Sequence, residues 1–286
     1  MPRLFSPAKV NLFLRVLNKR KDGAHDIETL FERIDLFDVI DLKPSPGAIR
    51  IKTSGERVPS DRRNLAYQAA RLLKETYRVP KGATITIKKR IPVSAGLGGG
   101  SSNAATVLLG LNRLWDLNLS KDKLMKLGAR LGSDVPFFIM ETSFAVGRGR
   151  GERLKKVPRP DKKIWHVLVK PSFGISTKEA YGGLKGPFLT FPKVDVKILF
   201  HSIQKGHSNP LSMLLTNSLE VPLNKRVIKI LELKKNLLKQ GALAALMSGS
   251  GSTVFGIFSS RSKARKAAGR LRKIDEKWKV FVAATY

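Results

Sequence analysis

The chain is 286 residues long, enough to bury a sizeable core and to hold one large domain or two modest ones. Its 42% hydrophobic and 27% charged residues describe an ordinary globular protein; its longest apolar runs fall well short of a membrane span, and no signal peptide is expected from the N-terminal M-P-R-L-F-S-P-A-K. Cysteine is absent, which excludes disulfides, thiolate metal sites and cysteine catalysis and fits a cytoplasmic protein, while 54 lysines and arginines against 22 acids give +32, a field that attracts polyanions and anionic small ligands. A solvated basic surface is the simpler source of that charge than nucleic-acid binding, because the chain has no zinc-finger spacing and no aromatic RNP-like strand.

In chain order, alternation predicts strands over 3–16 and 31–43, and Leu65, Ala69, Leu72, Leu73 and Tyr77 give helical spacing over 64–77. A short strand is expected over 84–88. Helices follow at 101–115 and 121–130, the second with Ser120 as N-cap, and Asp134, Val135 and Pro136 read as a further helix start. The polar run Lys155 to Lys163, with two prolines, is the best boundary between domains, placing them at 1–155 and 156–286. Beyond it a strand is predicted over 164–169, a short helix over 177–181, a Gly/Pro-punctuated loop over 184–193, and helices near 195–204 and 224–239. Strand, turn and strand then cover 242–258, followed by a helix over 261–273 and a strand over 279–284. Strands and helices mix without strict alternation, which argues α+β. The last helix is basic on one side and keeps Ala264, Ala267, Ala268 and Leu271 at helical spacing, so it reads as a solvated amphipathic helix.

The stretch Pro92, Val93, Ser94, Ala95, Gly96, Leu97, Gly98, Gly99, Gly100, Ser101, Ser102 carries the most chemistry. It is a glycine-rich loop that follows a strand and opens a helix. Backbone N–H groups and the positive end of a helix dipole then converge, which suits a phosphate, and the serine hydroxyls can bond phosphate oxygens or Mg²⁺. The loop is neither a Walker A, which needs a lysine after its last glycine, nor a G-x-G-x-x-G fingerprint. Its charge compensation must come from elsewhere. Lys9, with Asn11 two residues later on the same strand face, is a candidate, although an exposed lysine on an edge strand is the simpler reading. Asp134 reads as a helix N-cap with Pro136 in the first turn and, compatibly with that, as a carboxylate that takes a hydroxyl proton in phosphoryl transfer. The histidines make no metal spacing; His166 alternates within a strand and reads as structural, whereas His25 lies in a turn-like region and is freer to bind. M-S-G-S-G-S-T at 247–253 is either a plain hairpin turn or a second set of N–H groups at the same site.

Together these motifs resemble the GHMP kinases: P-V-S-A-G-L-G-G-G-S-S-N-A-A is similar to their phosphate motif and M-S-G-S-G-S-T to their C-terminal glycine motif. S-P-A-K-V-N-L at 6–12, D-G-x-H at 22–25, G-S-D-V-P-F-F at 132–138, G-R-G-R-G-E at 147–152 and I-S-T-K-E-A-Y at 175–181 narrow the resemblance to the branch acting on the cytidine diphosphate ester of methylerythritol in non-mevalonate isoprenoid synthesis. The resemblance implies a two-domain α+β fold, with an N-terminal ribosomal-protein-like α/β domain and a C-terminal α/β sandwich. It implies ATP and Mg²⁺ as cofactors, transfer to the substrate 2-hydroxyl, Lys9 and Asp134 as catalytic residues, and residues 92–102 at the ATP phosphates. Asn64 and Lys89 are expected near the adenine, Asn11 and His25 at the substrate, and Tyr181 over the cytosine. The family usually carries an aromatic immediately before that histidine; here it is Ala24, a lost stacking contact worth roughly 1–3 kcal/mol by analogy with base stacking. The rival readings are another GHMP small-molecule kinase and a nucleic-acid-binding protein on the same fold.

Overall fold

A computed structural model describes residues 3–184, 194–220 and 225–286. The loop expected over 184–193 lies outside the described residues except for Leu184. The chain divides into two compact units: 1–8, 36–93 and 98–142 form the first, and 9–35, 94–97 and 143–286 the second. Strands β1 (Leu4–Lys19) and β2 (His25–Ser45) therefore each supply a segment to both units.

In the first unit, β3 (Ile49–Gly55) runs parallel to β4 (Gly82–Lys89), and β4 pairs antiparallel with the C-terminal half of β2, Val39 opposite Lys88. Alternation in β4 buries Ile85 and Ile87 completely. Helices α1 (Leu65–Thr76), α2 (Gly99–Leu114), α3 (Lys121–Leu131) and α4 (Val135–Met140) complete this unit. Helix α1 buries Ala66, Ala69, Ala70 and Leu73, the stripe its spacing predicts, and packs on α2. Ser120 caps α3 by accepting from Lys123 N–H at 3.4 Å.

In the second unit, the N-terminal half of β2 pairs antiparallel with β5 (Phe144–Gly149), and β5 with β6 (Arg153–Val157). Strand β6 takes in Lys155 and Lys156, so the polar connection is shorter than the sequence suggests; an exposed Arg-Leu-Lys-Lys edge hides its strand character in charge. The second sheet is antiparallel throughout, in the order β10-β7-β9-β8, from β7 (Trp165–Lys170), β8 (Ala244–Met247), β9 (Val254–Phe258) and β10 (Lys279–Ala284). Helices α5 (Thr177–Gly182), α6 (Val196–Lys205), α7 (Ser208–Leu214), α8 (Lys225–Lys239) and α9 (Arg261–Leu271) belong to this unit. Helix α9 buries Ala264, Ala267, Ala268 and Leu271 in a core shared with Val167, Val169, Val254 and Phe258.

Candidate active site

In the first unit, β4 delivers the chain to the glycine loop, and Gly98 opens α2 from the left-handed conformation at φ 67° without any side-chain cap. The first N–H groups of a helix have no intrahelical acceptor, and no acidic residue stands in the first turn of α2 to offset its dipole. A methyl group added at Gly100 would meet only Leu65 Cδ1, at 3.8 Å, so nothing in the fold demands glycine there. Space over bare backbone beside orphan donors suits a phosphate. The two serines differ. Ser102 is buried, bonds its N–H to Gly98 C=O at 2.8 Å and shares a 2.8 Å hydroxyl contact with Ser6, whereas Ser101 stays partly exposed.

A residue that sequence reasoning missed holds both ends of this region. Asp38, fully buried on β2, accepts from Arg90 N–H at 2.7 Å, Ile91 N–H at 2.8 Å and Asn103 Nδ2 at 2.9 Å, and pairs with the Lys89 ammonium. It ties the exit of β4 to the first turn of α2. Burial pulls the Lys89 ammonium below the ordinary lysine range, and Asp38 opposes that shift. A methyl group at Gly99 would come within 2.7 Å of Lys89 Nζ, so this lysine lies under the start of α2. Asn64, the other residue expected near the adenine, caps α1 through a 3.0 Å bond from Ala66 N–H and donates to Pro59 C=O at 2.7 Å. The polar ends of Asn64 and Lys89 thus have structural work within the unit.

Asp134 stands at the N-cap of α4, yet its carboxylate makes no bond to the helix N–H groups. The N-cap position and the proline in the first turn are as expected, and only the side-chain cap bond is absent. With φ −82° and ψ −16° the residue has helical dihedrals, unlike the extended N-caps Asn64 and Ser120 that do bond their helices. The turn that carries it adjoins the glycine loop, since a methyl group at Gly132 would stand 3.7 Å from Ser101 Oγ.

In the second unit, Lys9 is not the exposed edge-strand lysine of the simpler reading. It is buried, donates from Nζ to Asn11 Oδ1 at 2.6 Å, and lies over the Phe31 ring at 5.4 Å. Its backbone N–H bonds Leu97 C=O at 3.0 Å, which ties β1 to residues 94–97 of the glycine loop. The 247–253 turn does join the hairpin β8–β9, and it also packs against that loop segment. Ser248 Oγ donates to Gly96 C=O at 2.9 Å and Thr253 N–H to Ala95 C=O at 3.3 Å. Any side chain at Gly96 would collide with Ser248 C=O. Asn217, also missed from the sequence, holds the turn by donating to Met247 and Gly249 C=O, both at 2.8 Å.

His25 and Tyr181 stack on one another in this unit, with centroids 5.2 Å apart and planes inclined by 30°. The ring facing Tyr181 is thus the histidine that follows Ala24. Burial, and after it the charge of Lys19, hold the His25 pKa below the ordinary histidine value. His166 is structural as expected: fully buried, with Nε2 3.0 Å from Glu32 Oε2.

The GHMP kinase N-terminal domain model matches residues 64–142 and the GHMP kinase C-terminal model matches residues 204–276. The 4-diphosphocytidyl-2-C-methyl-D-erythritol kinase of Pelotomaculum thermopropionicum is 43% identical over 280 residues, covering 98% of this chain and 96% of that protein. The chain belongs to the GHMP kinases. The Bacillus subtilis kinase of the same name is 43% identical over 268 residues, 93% of this chain and 91% of its own. A crystal structure of 4-(cytidine 5'-diphospho)-2C-methyl-D-erythritol kinase superposes with a TM-score of 0.85 at 34% identity, covering 99% of this chain and 98% of that one. The two-domain α+β architecture expected from the motifs is that of this GHMP kinase.

Proposed function

We propose that this chain transfers the γ-phosphoryl group of ATP to the 2-hydroxyl of 4-(cytidine 5'-diphospho)-2-C-methyl-D-erythritol. The observation that carries the reading is the uncapped, N–H-rich start of α2 beside the turn that carries Asp134. Relatives 43% identical over nearly the whole chain carry that activity in their names.

ATP supplies the phosphoryl group, and Mg²⁺ the neutralisation of its phosphate charge. Among the described residues no group of three or more His, Asp or Glu is placed to hold a metal, and a magnesium ion bound chiefly through nucleotide phosphates needs few protein ligands. Ser101, the partly exposed hydroxyl of the pair, is the protein oxygen we assign to it. The backbone of residues 94–102 receives the phosphates. Asp134 takes the proton of the 2-hydroxyl as the new O–P bond forms and the β–γ bridging O–P bond breaks, its electron pair leaving with ADP. Lys9 offsets charge on the transferred group. Asn11, His25 and Tyr181 serve the cytidine substrate, the stacked imidazole standing in for part of the aromatic surface missing at Ala24. The chain's division at residue 155, its cytoplasmic location and its lack of a nucleic-acid partner belong to the same proposal. The division is supported by the two family models, which match on either side of it at 64–142 and 204–276, and the other two by the lack of cysteine and by a +32 charge that suits two anionic substrates.

The test is a coupled ADP-release assay with the cytidine substrate, with homoserine, mevalonate and galactose as competitors. Turnover should be confined to the cytidine substrate. Asp134→Asn should lower kcat by about 10²–10⁴-fold with KM little changed, the range for losing a general base. Full activity in that variant would remove Asp134 from the chemistry.

A further inference from the structure

The hydrogen-bond chain behind Lys9 has a direction, and Thr29 sets it. A threonine hydroxyl has one proton to give. Thr29 Oγ1 lies 2.6 Å from Phe13 C=O, which can only accept, so the proton is committed there. The contact between Thr29 Oγ1 and the Asn11 amide, at 2.8 Å, must then be donated by Asn11 Nδ2. That leaves the other end of the amide, Oδ1, facing Lys9 Nζ at 2.6 Å.

Rotating the Asn11 amide by half a turn would set its NH₂ against the Lys9 ammonium and its carbonyl against the lone pairs of Thr29. Both contacts would be repulsive. Lys9, Asn11 and Thr29 are 4%, 1% and 0% exposed, so water is not at hand to repair either one. The held ammonium abuts the two glycine motifs of this unit. A methyl group at Gly249 would fall 3.2 Å from Lys9 Nζ, 3.1 Å from Asn11 Oδ1 and 3.2 Å from Gly96 C=O.

We propose that Thr29 is a positioning residue for phosphoryl transfer. Acting through Asn11, it presents an acceptor to the Lys9 ammonium and fixes where that charge stands. The proposal rests on the reading of Lys9 as the cation that serves the transferred group. Thr29 has no motif to mark it, because its partners lie 16 and 18 residues away on the neighbouring strand.

The experiment compares Thr29→Val, of nearly the same shape but without a hydroxyl, with Thr29→Ser, which keeps it. Valine should lower kcat about ten- to hundredfold, the scale of one hydrogen bond to a charged group, with KM for both substrates within about twofold. Serine should restore kcat to within about threefold of the unaltered enzyme. A valine variant with unaltered kcat, or with raised KM alone, overturns the proposal when Lys9→Ala is inactive in the same assay. Full activity in Lys9→Ala would instead overturn the reading of Lys9, so the two failures show in different variants. Should the valine variant not fold, NMR of the unaltered enzyme decides. Asn11 side-chain amide protons close to the Thr29 methyl support the proposal, and amide protons close to the Lys9 side-chain methylenes overturn it.

Discussion

Two buried lysines, one in each unit, each stand close to the part of the glycine loop that lies in their own unit, and they meet different groups. Lys89 meets a carboxylate, Asp38, which also accepts from two backbone N–H groups and from Asn103. Lys9 meets the amide of Asn11 and the face of Phe31. A carboxylate cancels an ammonium's charge, and the pair then serves as a fixed neutral joint. The Asn11 amide orients the Lys9 ammonium through a neutral dipole. The sequence presents both as lysines on strands, and only the carboxylate tied into the first turn of α2 marks Lys89 as a structural joint.

The sharpest break of that comparison is to remove each lysine in turn. Lys9→Ala should cut kcat by about 10³-fold or more, as expected when a preorganised charge at the reacting centre is lost, while the denaturation midpoint changes little. Lys89→Ala should do the reverse. It strands the buried Asp38 carboxylate and should cost about 3–5 kcal/mol of stability, read by urea unfolding, with a smaller loss of kcat in the protein that remains folded. Equal effects on both quantities in both variants would erase the distinction.

How much of this was legible in the sequence follows from the range of each interaction. Local ones were readable: the apolar stripe of α1, the Ser120 cap and the four buried positions of α9 are set by spacing within a turn or two. The glycine loop was readable because it is contiguous. Asp38 was not, since it meets Lys89 and Asn103 across 51 and 65 residues and no spacing rule connects them. Thr29 and Asn217 were hidden for the same reason. Strand β3 alternates weakly at the surface and went unread, though its Ile-Arg-Ile-Lys pattern carried the signal. Asp134 shows the converse. Its local signal for an N-cap was strong, and its observed dihedrals leave the carboxylate off the helix N–H groups.

The glycines sharpen the comparison further, because some are kept for the fold and others leave room for a ligand. Gly249 has φ +54°, and a methyl group there would crowd Lys9, Asn11 and Gly96. Gly249→Ala should therefore cost about 1–3 kcal/mol of stability from left-handed strain and also lower kcat by displacing the Lys9 ammonium. Gly100 meets only Leu65 at ordinary contact distance. Gly100→Ala should leave stability unchanged or raise it by up to about 1 kcal/mol, through helix propensity, while raising KM for ATP. Unfolding curves and ATP titrations on the two variants separate these outcomes. A Gly100→Ala enzyme with unaltered KM would mean that no phosphate approaches that backbone.

The smallest effect concerns a third protonatable group, the His25 imidazole that stacks on Tyr181. His25 lies close enough to Lys19 for that ammonium to depress its pKa, with burial the larger cause. Folding therefore favours the neutral imidazole that stacks on Tyr181. In the interval between the lowered folded value and the ordinary 6.5, the unfolded chain binds more protons than the folded one. Stability must then rise with pH across that interval, and the His25 penalty is fully relieved only above it. Lys19→Gln removes the lesser cause and leaves burial in place. An NMR titration of His25 should move up in that variant and still stop short of the ordinary histidine value. A titration that reached the ordinary value would make the lysine, not burial, the dominant cause, and one that did not move would mean the Lys19 charge does not reach the ring.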